Sequence, residues 1–142
     1  MSLEKSQKIV KVLGILSIIG AVVIFLGALG MLGLGGVGIA NLDSSNSELV
    51  QGTGIVLGLG IFLLVEGVVS LVEGIFSLQA AKDATKAQPL WIISIIGVVL
   101  AVANVISSVM NGGKDVLTQI FSLAISCFTF YLANTIKNLG RR

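Results

Sequence analysis

The chain has 142 residues, of which 55% are hydrophobic and only 11% are charged, and its mean hydropathy is +1.04. A soluble domain of this size needs more charge on its surface, so the composition indicates a protein whose solvent is the lipid bilayer. The formal net charge of +2 is too small to indicate a nucleic-acid partner. The length predicts a single membrane domain over residues 1–142, without a separate soluble domain.

Four apolar runs are long enough to cross the hydrocarbon core, which takes about 20 helical residues. In chain order they cover about residues 12–36, 53–78, 90–110 and 116–136. Runs of this length without a period of two are typical of helices and not of barrel strands. We therefore predict an all-α membrane protein, a bundle of four transmembrane helices. Its polar breaks are expected at residues 41–48, 82–88 and 111–115.

Basic residues are distributed unequally between the two sides that these spans would separate. Eight of the nine Lys and Arg residues fall on the side that holds both termini: Lys5, Lys8, Lys11, Lys82, Lys86, Lys137, Arg141 and Arg142. Because cytoplasmic segments carry the excess of Lys and Arg, we predict that both termini are cytoplasmic. Contact with anionic headgroups is a second interpretation of the basic ends. The absence of lipidation and glycosylation motifs fits a prokaryotic plasma membrane.

Glycine, with 18 copies in the chain, is concentrated in the outer halves of the first two spans. Small residues let helix backbones approach closely in lipid, where little hydrophobic force drives helices together. We therefore predict tight packing of the first two helices in the outer leaflet. The predicted packing positions are Gly54 and Gly58, which have the GxxxG spacing, with Gly67, Gly74 and Gly97.

A seven-residue repeat in the second span reads LVEGVVS from Leu64 and LVEGIFS from Leu71. The repeat puts Glu66 and Glu73 on the same side of the helix, roughly 10 Å apart along its axis. None of the four apolar runs contains Lys or Arg. A charged side chain at the centre of a membrane helix costs about 2.5–3.5 kcal/mol. Four states therefore remain open: a protonated carboxyl, a carboxylate facing a water-filled cavity, a bound cation, or a pair with a basic residue of another chain.

Polar residues of the other spans are candidate partners for these carboxylates. In the third span a stripe of small and polar residues recurs at steps of three and four, which is typical of the packed face of a membrane helix. By depth, Asn104, Ser122 and Ser126 are expected near Glu66. The residues expected near Glu73 are Ser17, Ser94, Thr129 and Tyr131. The predicted residues of an ion pathway or docking face are Glu66, Glu73, Ser70, Asn104, Ser94, Ser122 and Ser126.

The sequence has no His and a single cysteine, Cys127, so it lacks the commonest general base, metal ligand and activated nucleophile. We expect no enzyme activity, no metal and no cofactor. Two functions remain. One is a homo-oligomeric channel or cation- or proton-coupled transporter that uses the glutamates. The other is an accessory or scaffolding subunit of a larger membrane complex, docked through the Glu/Gly/Ser face of the second helix. The expected partners are the lipid bilayer and either further copies or a larger membrane protein.

Overall fold

The computed structural model describes the backbone of residues 1–40 and 47–141, and the side chains of residues 1–37 and 50–141. Every regular element within these ranges is helical. The elements are α1 (Leu3–Ala40), α2 (Ser47–Lys82), a short 3-10 turn (Ala84–Lys86), α3 (Ala87–Met110) and α4 (Val116–Leu139). Residues 41–46 of the predicted acidic break lie outside the described residues, whereas residues 47 and 48 belong to α2.

All four α-helices contain a segment long and apolar enough to cross a membrane. These segments are Leu3–Val37, Val50–Lys82, Ala84–Met110 and Val116–Leu139, the third including the 3-10 turn. Large apolar side chains cover the outer faces; Met110 is 81% exposed and Leu117 is 84% exposed. Exposing apolar area to water costs about 25 cal/mol per Å², so such a surface suits lipid chains. The predicted all-α class is confirmed for the described residues, with four helices long and apolar enough to cross a membrane, which indicates a multi-pass membrane protein.

The first two helices extend beyond the apolar runs that predicted them. α1 begins at Leu3, about two and a half helical turns before the apolar run starts near residue 12. Its charged first turns contain an ion pair between Lys8 Nζ and Glu4 Oε1 at 2.8 Å, a spacing that supports a helix. α2 likewise runs to Lys82 and not to residue 78. The hydropathy of the sequence predicts only the part of a helix that lies in lipid. Residues with high helix propensity extend the helix beyond that part, into the interface.

Only Asp83 and the 3-10 turn separate α2 from α3. The Asp83 carboxylate caps this turn by accepting hydrogen bonds from the Thr85 backbone N–H at 3.0 Å and from the Thr85 hydroxyl at 2.6 Å. α3 begins at Ala87, three residues before the apolar run that predicted it, and Pro89 lies in its first turn. Proline is tolerated there because the first-turn N–H groups have no partner within the helix.

The cap at Asp83 gives the junction a dependence on pH. The hydrogen bonds from the Thr85 hydroxyl and then from its backbone N–H hold the pKa of Asp83 below its ordinary value of 3.8. A depressed pKa means that the cap stabilises the protein above about pH 4 and loses this effect as the pH falls through the lowered pKa. We expect Thr85→Ala to raise the midpoint of the Asp83 titration toward 3.8, as followed by carboxyl NMR in micelles. If the midpoint does not move, the hydrogen bond from the Thr85 hydroxyl does not stabilise the charged form of Asp83.

The chain divides into two compact units. The first unit comprises Met1–Ser17 and Val72–Arg142, and the second comprises Ile18–Leu71. In the first unit α3 packs along α4, and both contact the 3-10 turn. The buried apolar core of this unit consists of Val10, Ala80, Ala87, Leu90, Leu132, Ala133 and Ile136. The single membrane domain over residues 1–142 stays a prediction.

Buried small residues recur every seven positions in both long helices. In α1 they are Gly14, Ala21, Ala28 and Gly35, and in α2 they are Gly60, Gly67 and Gly74. Seven residues are close to two helical turns, so each series follows one side of its helix. The buried side of α1 and α2 is therefore built from residues that let another backbone approach closely.

Candidate functional site

Glu73 lies in the first unit, half-buried on α2, with its carboxylate directed at α3. Its Oε2 lies 4.0 Å from the position that a Cβ on Gly97 would take. The missing side chain at Gly97 thus leaves space beside the carboxylate. No described residue forms a hydrogen bond or an ion pair with Glu73. The result is an unpaired carboxylate inside an apolar span, next to the small-residue face of the neighbouring helix.

Two of the hydroxyls predicted to lie at the depth of Glu73 donate to backbone carbonyls of their own helices. The Ser94 hydroxyl donates to the Trp91 carbonyl oxygen at 2.9 Å, and the Thr129 hydroxyl donates to the Ile125 carbonyl oxygen at 3.0 Å. Buried hydroxyls on helices are commonly satisfied in this way by the preceding turn. With their hydrogens used in this way, the hydroxyls cannot donate to a carboxylate, but their oxygen lone pairs can accept a hydrogen bond or coordinate a cation.

The stripe of small and polar residues on α3 includes the buried face of that helix. Ser94 is 1% exposed and Ala101 is 5% exposed. Gly97, which lies between them in the sequence, and Asn104, which follows Ala101, are half-buried. This face is the one that lies beside the carboxylate of Glu73 at Gly97. On α4, Ser126 is half-buried and Ser122 is exposed.

Glu66 and Ser70 lie in the second unit and are both half-buried. Glu66 has no ion pair or hydrogen bond with any residue that the structure describes. Beside it, Gly67 packs against α1: a Cβ on Gly67 would lie 3.2 Å from a ring carbon of Phe25 and 3.3 Å from Ile24. Asn104, Ser122 and Ser126 belong to the first unit. Their predicted grouping around Glu66 stays a prediction.

The glycines predicted as packing positions differ in their surroundings. Gly67 and Gly74 are buried, whereas Gly54 and Gly58 have no described heavy atom within 4 Å of an added Cβ. The packing role of Gly54 and Gly58 therefore stays a prediction. Contacts between α1 and α2 in the second unit are tighter at two other glycines. A Cβ on Gly35 would lie 2.6 Å from Leu57 Cδ2, and one on Gly60 would lie 2.9 Å from Leu32 Cδ2.

At Gly14, α1 lies close against the backbone of α2 in the first unit, a contact that the glycine content of the sequence did not predict. A Cβ there would lie 2.8 Å from Ser77 Cβ and 3.0 Å from the Gly74 carbonyl oxygen. The signal that could have identified Gly14 is its spacing of seven from Ala21 and fourteen from Ala28, two residues that are fully buried.

Neither a metal centre nor a relative defines this site. In the part of the chain that the structure describes, no three metal-ligating side chains are grouped closely enough to hold a metal ion. Comparison with protein-family models, curated proteins and solved structures finds no match to this chain. The class that the fold and the site define is therefore a small all-α, multi-pass membrane protein with two carboxylates inside its second span.

Proposed function

We propose that this protein passes protons or small cations through the membrane, as a channel or a coupled transporter, with Glu73 and Glu66 as the exchanging groups. The observation that carries the proposal is the carboxylate of Glu73, which lies beside Gly97 without an ion-pair or hydrogen-bond partner among the described residues. Such a group in lipid is stabilised by taking up a proton or a cation, and releasing it restores the costly charged form. Reversible uptake is the elementary step of ion passage.

The arrangement around Glu73 supports this role. Gly97 leaves space at the carboxylate. Ser94 lies about one turn before Gly97 on α3, and its hydroxyl donates to the Trp91 carbonyl, so its oxygen lone pairs can serve as acceptors. In the sequence, the seven-residue repeat adds a second carboxylate, Glu66, two helical turns before Glu73 on α2. Glu66 is the second step of the proposed pathway.

The proposed protein works as a homo-oligomer in a prokaryotic plasma membrane, with both termini in the cytoplasm. This orientation is supported by the distribution of the basic residues, eight of nine of which fall on the side of the termini. Four helices of this size enclose little volume, which supports an assembly of several copies around a shared path.

A second function, that of an accessory subunit in a larger membrane complex, is favoured by a separate observation. Glycines on α1 and α2 of the second unit leave open surface, with no described heavy atom within 4 Å of an added Cβ: Gly20, Gly27, Gly30, Gly33, Gly36, Gly52, Gly54 and Gly58. Small residues on an open helix face permit close approach of a further membrane helix. In that case the glutamates would pair with basic groups of the partner.

Flux through the purified protein tests the proposal. We expect liposomes that contain the protein and a pH-sensitive or cation-sensitive dye to respond to an imposed potassium diffusion potential faster than protein-free liposomes do. The protein would also leave the native membrane as a homo-oligomer on gentle extraction. An inactive protein that is extracted in stoichiometric association with a larger protein would support the accessory function. An inactive homo-oligomer would contradict both functions.

A further inference from the structure

The ends of α3 and α4 in the first unit form a corner that carries two cations. Lys137 Nζ lies 3.6 Å from the centroid of the Trp91 ring, and an Arg141 guanidinium N–H donates to Gln88 Oε1 at 3.5 Å. We name the four residues Gln88, Trp91, Lys137 and Arg141 the basic corner. They connect the C-terminal end of α4 with the N-terminal end of α3. In each helix, the segment long and apolar enough to cross a membrane has one of its ends here.

The position of this corner depends on a close backbone contact at Gly140. A Cβ on Gly140 would lie 2.6 Å from Ala84 Cβ and 3.0 Å from the Ala84 carbonyl oxygen, so only glycine lets α4 end against the 3-10 turn. The Gly140 N–H donates to the Ile136 carbonyl oxygen at 2.8 Å, which continues the helical turn past Leu139. Lys137 and Arg141 are four residues apart, so the continued turn puts them on one face, about 6 Å apart along the axis.

Both cations of the basic corner lack a carboxylate partner among the described residues. The only ion pair in that part of the chain joins Lys8 to Glu4. The carboxylate of Asp83, five residues before Gln88, accepts the two hydrogen bonds from Thr85. The Trp91 indole Nε1 is buried and has no acceptor among the described residues.

We propose that the basic corner binds the phosphate of an anionic phospholipid headgroup from the surrounding bilayer. Charge complementarity supports this occupant: two cations are held on one helix face by the Trp91 ring and the Gln88 amide, and neither is neutralised by the described chain. The location supports a lipid and not a soluble anion, because Trp and Lys at the end of a membrane span lie at the level of the headgroups. An ammonium and a guanidinium together can bridge the oxygens of one phosphate.

Trp91 makes the test site-specific, because it is the only tryptophan of the chain. The protein is reconstituted into phosphatidylcholine that contains increasing amounts of phosphatidylglycerol, with brominated acyl chains on one lipid or the other. Bromine quenches indole fluorescence at short range, so the ratio of the two quenching curves gives the preference for the anionic lipid beside Trp91. We expect the wild type to prefer phosphatidylglycerol and each removed cation to lower the preference about fivefold.

The variant pair Lys137→Gln with Arg141→Gln is expected to abolish the preference, and Lys137→Arg is expected to keep it. The matched control is Lys5→Gln with Lys11→Gln, which removes the same charge from exposed positions on α1 and is expected to keep it. An equal loss in both double variants would overturn the proposal in favour of diffuse surface charge. A preference that survives in Lys137→Gln/Arg141→Gln, or that millimolar inorganic phosphate removes, would also overturn it.

Discussion

Replacing Glu73 by glutamine is expected to lower flux through reconstituted protein by about a hundredfold, the scale lost when a positioned proton-transferring group is removed. The amide has nearly the shape of the carboxyl but can neither bind nor release a proton, and it carries no charge to hold a cation. Folding should be unaffected, because an uncharged side chain costs less in lipid than a carboxylate. The measurement is the initial rate of dye response in liposomes, normalised to the amount of folded protein.

Matched variants separate the role of Glu73 from a general effect of charge. Glu4→Gln removes an exposed carboxylate that pairs only with Lys8, and it should leave flux unchanged. Glu66→Gln should lower flux if both carboxylates lie on the pathway. A Glu73→Gln protein that conducts at the wild-type rate would exclude Glu73 from the pathway, and wild-type rates in both variants would contradict a glutamate-based pathway.

The space at Gly97 can be tested with the carboxylate intact. Gly97→Ala should be tolerated, because its Cβ would lie at an ordinary contact distance of 4.0 Å from Glu73 Oε2. Gly97→Leu should lower flux, because a branched side chain would fill the space beside the carboxylate. Equal flux in the alanine and leucine variants would show that this space is not used.

Gly14→Ala is expected to destabilise the protein by about 1–3 kcal/mol, the usual cost of forcing an extra carbon into a packed interface. The added Cβ would lie 2.8 Å from Ser77 Cβ, 3.0 Å from the Gly74 carbonyl oxygen and 3.3 Å from the Leu78 nitrogen. Two of these atoms belong to the backbone of α2 and cannot rotate away, so the helices themselves must shift. The measurement is the free energy of unfolding in mixed micelles, with helicity followed by circular dichroism.

Two glycines provide the controls for this prediction. Gly20 lies on the same helix with no described heavy atom within 4 Å of an added Cβ, so Gly20→Ala should be neutral or slightly stabilising through helix propensity. Gly60→Ala should cost less than Gly14→Ala, because its nearest atoms are Cδ2 and Cγ of Leu32, at the end of a flexible side chain. Equal effects at Gly14 and Gly20 would mean that backbone proximity at Gly14 does not limit stability.

The sequence predicted the chemical groups of the candidate site better than it predicted the contacts that these groups make. The repeat around Glu66 and Glu73 identifies two carboxylates on one side of a helix, because seven residues are nearly two turns whatever surrounds them. The sequence could not indicate that Ser94 and Thr129 donate to carbonyls of their own helices. A hydroxyl has two competing acceptors, and the rotamer that decides between them depends on the neighbouring helix.

By itself the sequence determined the all-α class and the four membrane-crossing segments. About 20 apolar residues in lipid have no water to satisfy their backbone groups, and the helix satisfies them within one segment. Only the tertiary structure decided that Gly14, Gly35 and Gly60 lie tightly against a neighbouring helix, that Gly97 lies beside Glu73, and that Lys137 lies over Trp91. Helix formation is local, whereas the face that a helix presents to a neighbour depends on rotation and shift between two surfaces, which small residues permit in many combinations.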